Sequence, residues 1–471
     1  MEAKIFFGST EATKEQKIQR LSPYNAKVVS TAPVCDAEDT NKALKIAQQA
    51  AKAAKNTTLS QRCSWLLDVA SKLKEQKEDM ARTITDEVGK PITFARVEVD
   101  RCIETITLAA ETMRTMHGET INTDAMASGK KTMSFFRREP VGVVAAITPF
   151  NFPLNLIAHK LGAALVAGNA VVLKPTPEAP LTAYKFAKMF IESEYAIKDA
   201  LSVVYGDVEV GSALVSSDIP RVISFTGSVP VGNIITKSAG IKKVSLELGG
   251  NAATFIEKTA DLQLAAKRCA LGAFVNSGQV CISLQRIYVD DAVYEEFASL
   301  MTQETKKLKV GSPYDDDTFM GPLIDDDACD RAMGWVESAI EEGAVAMLPP
   351  RREGRVFYPC VMCEVRDDMA IVCEEVFAPI VSLVRVDGFD DALLRMNNSP
   401  YGLQFSVFTN DLNITKRAID ELEAGGVVIN DMPTLRFDIQ PYGGVKLSGV
   451  GREGPKFAIE EMTEIKSVVI C

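Results

Sequence analysis

The sequence predicts an α/β protein, and three observations carry that expectation. From residue 141 onward, apolar stretches at 143–148, 170–174, 201–205, 221–225 and 243–247 alternate with helical stretches at 154–167, 179–194, 208–216 and 229–239. The apolar stretches read as unbroken runs, as strands buried on both faces do, and regular βα alternation places such strands in a parallel sheet covered by helices. Unusual residues then gather where these strands end: Thr148-Pro149-Phe150-Asn151, Lys174-Pro175, Gly206, Thr226-Gly227 and Glu247. Open parallel sheets bind ligands beyond the carboxyl ends of their strands, so this clustering is the first functional signal.

Taken in order, the chain begins with a segment read as helical. Asp36 with Asp39 three residues on forms a helix-start signature, and Ala43, Ala47, Ala50 and Ala54 follow at helical spacing. A second helix is expected over 60–87, stopped by Gly89 and Pro91, and a third over 94–117. Residues 119–140 read as a ribbon, with short strands at 120–124 and 131–137. After the βα series, 249–450 reads as a second α/β unit, with a helical segment before Cys281 and strands at 286–289, 358–365, 403–409 and 427–430. The tail ends in a strand at 466–471, placed to pair with the ribbon of its own or another subunit. The expected division is therefore 1–118 with 141–248, then 249–450, with 119–140 and 451–471 as a small β extension.

Composition narrows the function classes. At about 100–200 residues per domain, 471 residues allow two to four domains. A net charge of −11 argues against duplex DNA or an anionic membrane as the main partner, because counterion release needs a basic surface. No apolar run reaches the roughly 18 residues of a membrane span, and residues 1–10 lack a secretory layout. The ten cysteines are scattered, which fits free thiols in a reducing, cytoplasmic setting better than a disulfide framework. Two histidines, His117 and His159, offer no His-based metal site and no Ser–His–Asp set. Cys360 and Cys363 form a CxxC without a second pair at zinc spacing. No metal is expected.

Four positions carry potential chemistry. Phe225-Thr226-Gly227-Ser228-Val229-Pro230-Val231-Gly232 joins a strand to a helix, and free N–H groups at such a helix start suit a phosphate. It is not a G-x-G-x-x-G fingerprint and reads equally as an ordinary loop. Lys174 ends a strand, where it either holds a ribose hydroxyl or phosphate or is solvated. Gly278 turns the chain so that Cys281 reaches an exposed bend. The thiolate is the active form of a cysteine, although a small buried hydrophobe is the commoner fate of the residue. Glu247, flanked by leucines at a strand end, is poorly solvated, which raises a carboxyl toward general-base values. The alternative is a strand end satisfied by backbone N–H groups.

These segments together resemble the aldehyde dehydrogenase superfamily. The resemblance rests on Phe150-Asn151-Phe152-Pro153, Lys174-Pro175, Phe225-Thr226-Gly227-Ser228, Leu246-Glu247-Leu248-Gly249-Gly250, Phe274 to Cys281, and Glu374-Glu375-Val376-Phe377-Ala378-Pro379, in order and nearly along the whole chain. It implies a Rossmann-type cofactor domain, an α/β catalytic domain and a small oligomerisation extension. It also implies NAD or NADP as cofactor, a small-molecule aldehyde as substrate and a homodimer or homotetramer. The implied roles are Cys281 as nucleophile, Asn151 with the Cys281 N–H as oxyanion donors, and Glu247 as the base that hydrolyses the thioester. The implied cofactor contacts are Ile147, Thr148, Pro149, Phe150, Lys174, Thr176, Glu178, Gly206, Phe225, Thr226, Gly227, Ser228, Val231, Leu248, Gly249, Glu375 and Phe377.

The sequence also departs from the family pattern. Where many NAD-preferring members carry a ribose-binding Glu, here stands Pro177, with Glu178 one later, which leaves NAD against NADP open with a lean to NAD. Phe150 replaces the commoner Trp and Ala378 the commoner Gly. The region from Asn430 to Lys446 is similar to the branch of lactaldehyde, sulfoacetaldehyde and phosphonoacetaldehyde dehydrogenases. In that loop Arg436 is placed either to bind an anionic substrate group or to lie on the surface with Asp438. The expected reaction is oxidation of a small, hydroxylated or anionic aldehyde to the acid. The alternatives are a CoA-acylating relative or a semialdehyde dehydrogenase such as succinic semialdehyde dehydrogenase.

Overall fold

The computed structural model describes residues 1–471. Its first sheet runs Thr10–Ala12, Ile5–Phe7, Leu201–Val203, Ala170–Lys174, Val143–Ile147, Val222–Thr226, Lys243–Glu247, Gly449–Val450. The five inner strands are parallel and the outer pairings antiparallel. Each of the five expected strands is present. Register aligns their ends: Ile147 pairs with Lys174, Phe225 with Ile147, and Thr226 with Glu247. Four strand ends thus open on one edge, with Asn155–Ala167, Pro180–Ile191, Val208–Ser216 and Val229–Ser238 as the helices of the series.

The N-terminal segment differs from its helical expectation. Ile5–Phe7 extends the first sheet beside Leu201–Val203, and Lys17–Leu21 pairs with Val28–Pro33 as a separate hairpin. The helix Ala37–Asn56 does begin at Asp36, with the reciprocal Asp36–Asp39 capping box formed. The helix expected over 60–87 is two, Leu59–Glu75 and Lys77–Val88, broken at Gln76. Ile92–Thr115 follows.

The second sheet runs Val345–Leu348, Cys360–Cys363, Ile380–Val386, Leu284–Asp290, Ala252–Ile256, Gln404–Phe408, Gly426–Ile429, parallel except for its first pair. Cys360 and Cys363 belong to a strand here and are free thiols. The tail strand Thr463–Ile470 pairs along its whole length with Met133–Pro140 of the same chain. The chain returns to the first unit before that tail. Gly449–Val450 joins the first sheet, and Ala458, Ile459 and Met462 are buried in its core. The boundary drawn at 451 therefore cuts through a segment that packs with the first unit, because the apolar face of Pro455–Glu461 is covered there.

One buried ion pair braces the segment that carries Asn151. Lys90 and Glu98 are both fully buried and pair with each other. Glu98 Oε1 also accepts the N–H groups of Leu154 and Asn155, at 2.9 and 3.1 Å, where helix Asn155–Ala167 begins. A carboxylate suits that end of the helix dipole. Removing one member of a buried pair strands the other charge, which costs about 3–5 kcal/mol. Glu98→Ala is therefore expected to lower the thermal unfolding midpoint by several degrees in circular dichroism. An unchanged midpoint would contradict this assignment.

Candidate active site

A cavity of about 1260 Å³ lies across the aligned strand ends. Ile147, Thr148, Pro149, Phe150 and Asn151 line it after the first of these strands, and Lys174, Thr176 and Glu178 after the second. Phe225, Thr226, Gly227, Ser228 and Val231 follow the third, and Glu247, Leu248 and Gly249 the fourth. The second unit closes the other wall with Cys281, Glu375, Phe377 and Arg436. Gly206 lies outside the wall: a Cβ there would come within 2.4 Å of Val210, so its smallness serves packing.

The wall suits a dinucleotide. The hydroxyls of Thr148 and Thr226 are buried there without a protein partner. Helix Val229–Ser238 starts at Ser228 with no side-chain cap, so its first N–H groups stay available to a phosphate. The Glu375 carboxylate accepts the Gly250 N–H at 2.9 Å, and burial pushes its pKa up to about 7. The Phe150 and Phe377 rings meet edge to face, 6.0 Å between centroids. No cluster of three His, Cys, Asp or Glu side chains is placed to hold a metal ion.

Cys281 is presented by a strained bend. Asn276, Ser277 and Gly278 all adopt positive φ, at 51°, 56° and 73°. Only glycine fits the third position, where a Cβ would lie 2.3 Å from the Ala378 carbonyl oxygen. Two non-glycine residues in this region cost roughly 1–3 kcal/mol each, and such strain collects at functional sites. Asn151 Nδ2 donates to the Gln279 carbonyl at 3.1 Å, which ties the strand-end loop to the bend. The Cys281 N–H has no acceptor within the protein. Burial pushes the thiol up to about 12, opposed by a hydrogen bond with Tyr442.

Glu247 is a buried carboxyl, and neither of its oxygens has a hydrogen-bond partner in the protein. Burial raises its pKa well above the ordinary carboxylate value, and the nearby Glu453 raises it further, against Arg436 and Lys160. Gly443 lies so close that a Cβ would sit 2.7 Å from Glu247 Oε1. The neighbouring charges form one network. Lys160 Nζ lies 3.6 Å from Glu453 Oε1, and Arg436 Nη2 donates to Glu453 Oε2 at 2.9 Å. Asp438 Oδ1 sits 3.4 Å from Arg436 Nε and 3.2 Å from His159 Nε2, and Arg101 grips the same carboxylate bidentately at 2.7 and 2.9 Å. Burial works against the Asp438 charge, yet His159 and Arg101 hold its pKa well below the usual range. Arg436 is thus a buried residue paired twice, rather than a surface arginine.

Residues 10–468 match the Aldehyde dehydrogenase family. The chain belongs to that family. It is 42% identical over 466 residues to a 3-sulfolactaldehyde dehydrogenase of Priestia aryabhattai, covering 98% of this chain and 96% of that protein. It is 40% identical over 468 residues to a lactaldehyde dehydrogenase of Methanococcus aeolicus, covering 98% and 99%. Among solved structures, the NADP-dependent glyceraldehyde-3-phosphate dehydrogenase of Bacillus halodurans C-125, complexed with NADP, superposes with a TM-score of 0.97 at 33% identity, covering 100% and 99%. The enzyme is accordingly an aldehyde dehydrogenase, an oxidoreductase that uses NAD or NADP. No helix in this aldehyde dehydrogenase is long and apolar enough to cross a membrane.

Several residues that shape the aldehyde dehydrogenase site were not singled out by the sequence. Lys160 carried a legible signal: a lysine within a helix whose every residue is buried must be paired. Glu453 and Arg101 carried none, because their partners are 17 and 337 positions away in the sequence. His159 is buried and engaged with Asp438.

Proposed function

We propose that this enzyme oxidises a small aldehyde to its acid by covalent catalysis at Cys281, with water rather than CoA as the final acceptor. The observation that carries the reading is the buried, unpartnered Glu247 carboxylate on the same cavity as the Cys281 thiol. The Cys281 thiol releases its proton to solvent, the thiolate sulfur bonds to the aldehyde carbon as the C=O π bond breaks, and the oxygen gains negative charge beside the Asn151 amide and the Cys281 N–H. Such donors commonly contribute about 3–4 kcal/mol to a transition state. Bound NAD or NADP supplies the hydride acceptor. Lys174, Ser228 and Glu375 would hold its adenine ribose, pyrophosphate and nicotinamide ribose respectively. Glu247 then takes a proton from water, the resulting hydroxide adds to the thioester carbon, the C–S bond breaks to release the acid, and the departing sulfur takes the proton from Glu247, which restores the thiol and the carboxylate. Acyl transfer to CoA needs no such base, which disfavours the acylating alternative.

Finer features follow. Lys174 is the single cation at the adenosine end, and Glu178 and Asp207 line the wall beside it. A 2′-phosphate would face both carboxylates, so NAD is favoured over NADP. The exposed apolar residues Ile465, Val469 and Ile470 of the tail strand support a homodimer or homotetramer, and ten free thiols support a cytoplasmic setting.

For the substrate, Arg101 is the better anion ligand than Arg436. Both line the cavity, but its side chain is 26% exposed against 11% for Arg436, and its Nη1 is not committed to Asp438. A carboxylate, sulfonate or phosphate tail, as on 3-sulfolactaldehyde or glyceraldehyde 3-phosphate, fits that free edge. A succinic semialdehyde carboxylate fits it equally.

The overall reading is tested by assaying lactaldehyde, 3-sulfolactaldehyde, glyceraldehyde 3-phosphate and succinic semialdehyde at 340 nm with each cofactor, with and without CoA. Free acid formed at a CoA-independent rate is expected; a requirement for CoA would refute hydrolysis. Arg101→Ala is expected to raise KM for the anionic aldehydes at least tenfold and for lactaldehyde under threefold. Equal effects would remove the anion role. For pH, the working form of Glu247 is ionised, so turnover should climb with pH along a limb set well above the usual carboxylate range of about 4.3. Glu453→Gln removes the facing negative charge and should move that limb to lower pH. An unmoved limb would assign it to another group.

A further inference from the structure

We propose that Tyr442 is a catalytic residue whose phenol donates a hydrogen bond to the Cys281 thiolate, and that Arg436 positions its ring. This deepens the covalent reading above and rests on Cys281 as the nucleophile.

The geometry closes on itself. Tyr442 Oη lies 3.0 Å from Cys281 Sγ, and that thiol is its one hydrogen-bond partner. The Arg436 guanidinium stands over the tyrosine ring, 3.7 Å from its centroid. Arg436 is itself fixed by Glu453 and Asp438. Glu453 also grips the Tyr442 backbone: the Tyr442 N–H donates to the Glu453 carbonyl at 3.1 Å, and the Glu453 N–H donates back at 2.7 Å. One residue thus holds both the backbone of the tyrosine and the cation on its face. Tyr442 is 6% exposed, so little water competes for the phenol.

The direction of the bond follows from chemistry. A thiolate has no proton, so in the reactive state the phenol must be the donor. A cation against the ring favours loss of electron density from the phenolic oxygen, which makes the O–H a better donor. The other charged groups facing Cys281 are Glu375 and Glu247, which oppose the thiolate, and Arg436, which favours it. Since no histidine is paired with the sulfur, the phenol is the direct polar contact that can offset desolvation of the charged nucleophile. When the sulfur bonds to the aldehyde carbon, its negative charge passes to the substrate oxygen and the phenol keeps its proton. The bond therefore prepares the nucleophile without consuming a proton.

The test is the pH dependence of iodoacetamide alkylation at Cys281, followed by mass spectrometry on the full-length enzyme without cofactor. Tyr442→Phe keeps the ring and removes the hydroxyl. It is expected to raise the midpoint of the alkylation profile by about one pH unit, slowing modification about tenfold below the midpoint. Tyr442→3-fluorotyrosine, a stronger donor, should lower the midpoint. Unmoved midpoints, or a lower midpoint in Tyr442→Phe, would overturn the proposal, and the fluorinated variant remains decisive if the phenylalanine one folds poorly. Failure of the nucleophile assignment itself would look different: alkylation of Cys281 in the unsubstituted enzyme would leave aldehyde oxidation intact.

Discussion

Glu247 ends a strand with both oxygens buried and neither hydrogen bonded. A charge in that position is expensive, of the order of several kcal/mol in real proteins, so the carboxyl is driven toward its neutral form. A fold built for stability alone would fill the place with an apolar side chain. Here the parallel sheet delivers Glu247 to the edge where its neighbours end in Lys174, Ile147 and Thr226. The close approach of Gly443 keeps a side chain from pressing against its oxygen. A carboxyl held in this way has the raised proton affinity that general-base work requires.

The surrounding charges are arranged so that the remaining ones are quiet. Glu453, Lys160, Arg436, Asp438, His159 and Arg101 pair with one another across helices and loops from both units. Each pair alone would gain little against its desolvation. As a network they fix the positions of Arg436 and Tyr442, and through the phenol the network reaches the sulfur. The thiol and the carboxylate are therefore tuned by overlapping groups, and a change at Glu453 is felt at both.

How much of this was legible in the sequence follows from which interactions are local. Strand ends announced themselves because Pro, Gly and charged residues interrupt apolar runs, and the Asp36 cap was readable because its partner is three residues away. The strand Ile5–Phe7 was missed because it is three residues long and its hairpin partner Thr10–Ala12 is polar, so no alternating pattern marked the pair; what buries it is the edge of the first sheet at Leu201–Val203, nearly two hundred residues on. The break at Gln76 carries neither glycine nor proline, so nothing local marked it. Cys281, Glu247 and Asn151 stood out through their motifs, and the fold brings them to one cavity. Arg436 was singled out with its partner Asp438, but its seat between Glu453 and the Tyr442 ring is a property of the folded chain. Tyr442 lies within the region from Asn430 to Lys446, and only the fold shows its hydroxyl against the thiol.

The most direct measurement is mass spectrometry of Glu247→Gln after rapid mixing with aldehyde and NAD. Without its base, the enzyme should accumulate an acyl group on the peptide containing Cys281, alongside one equivalent of reduced cofactor per subunit. Undiminished turnover with no acylated peptide, or an acyl group on any of the other nine cysteines, would contradict the account.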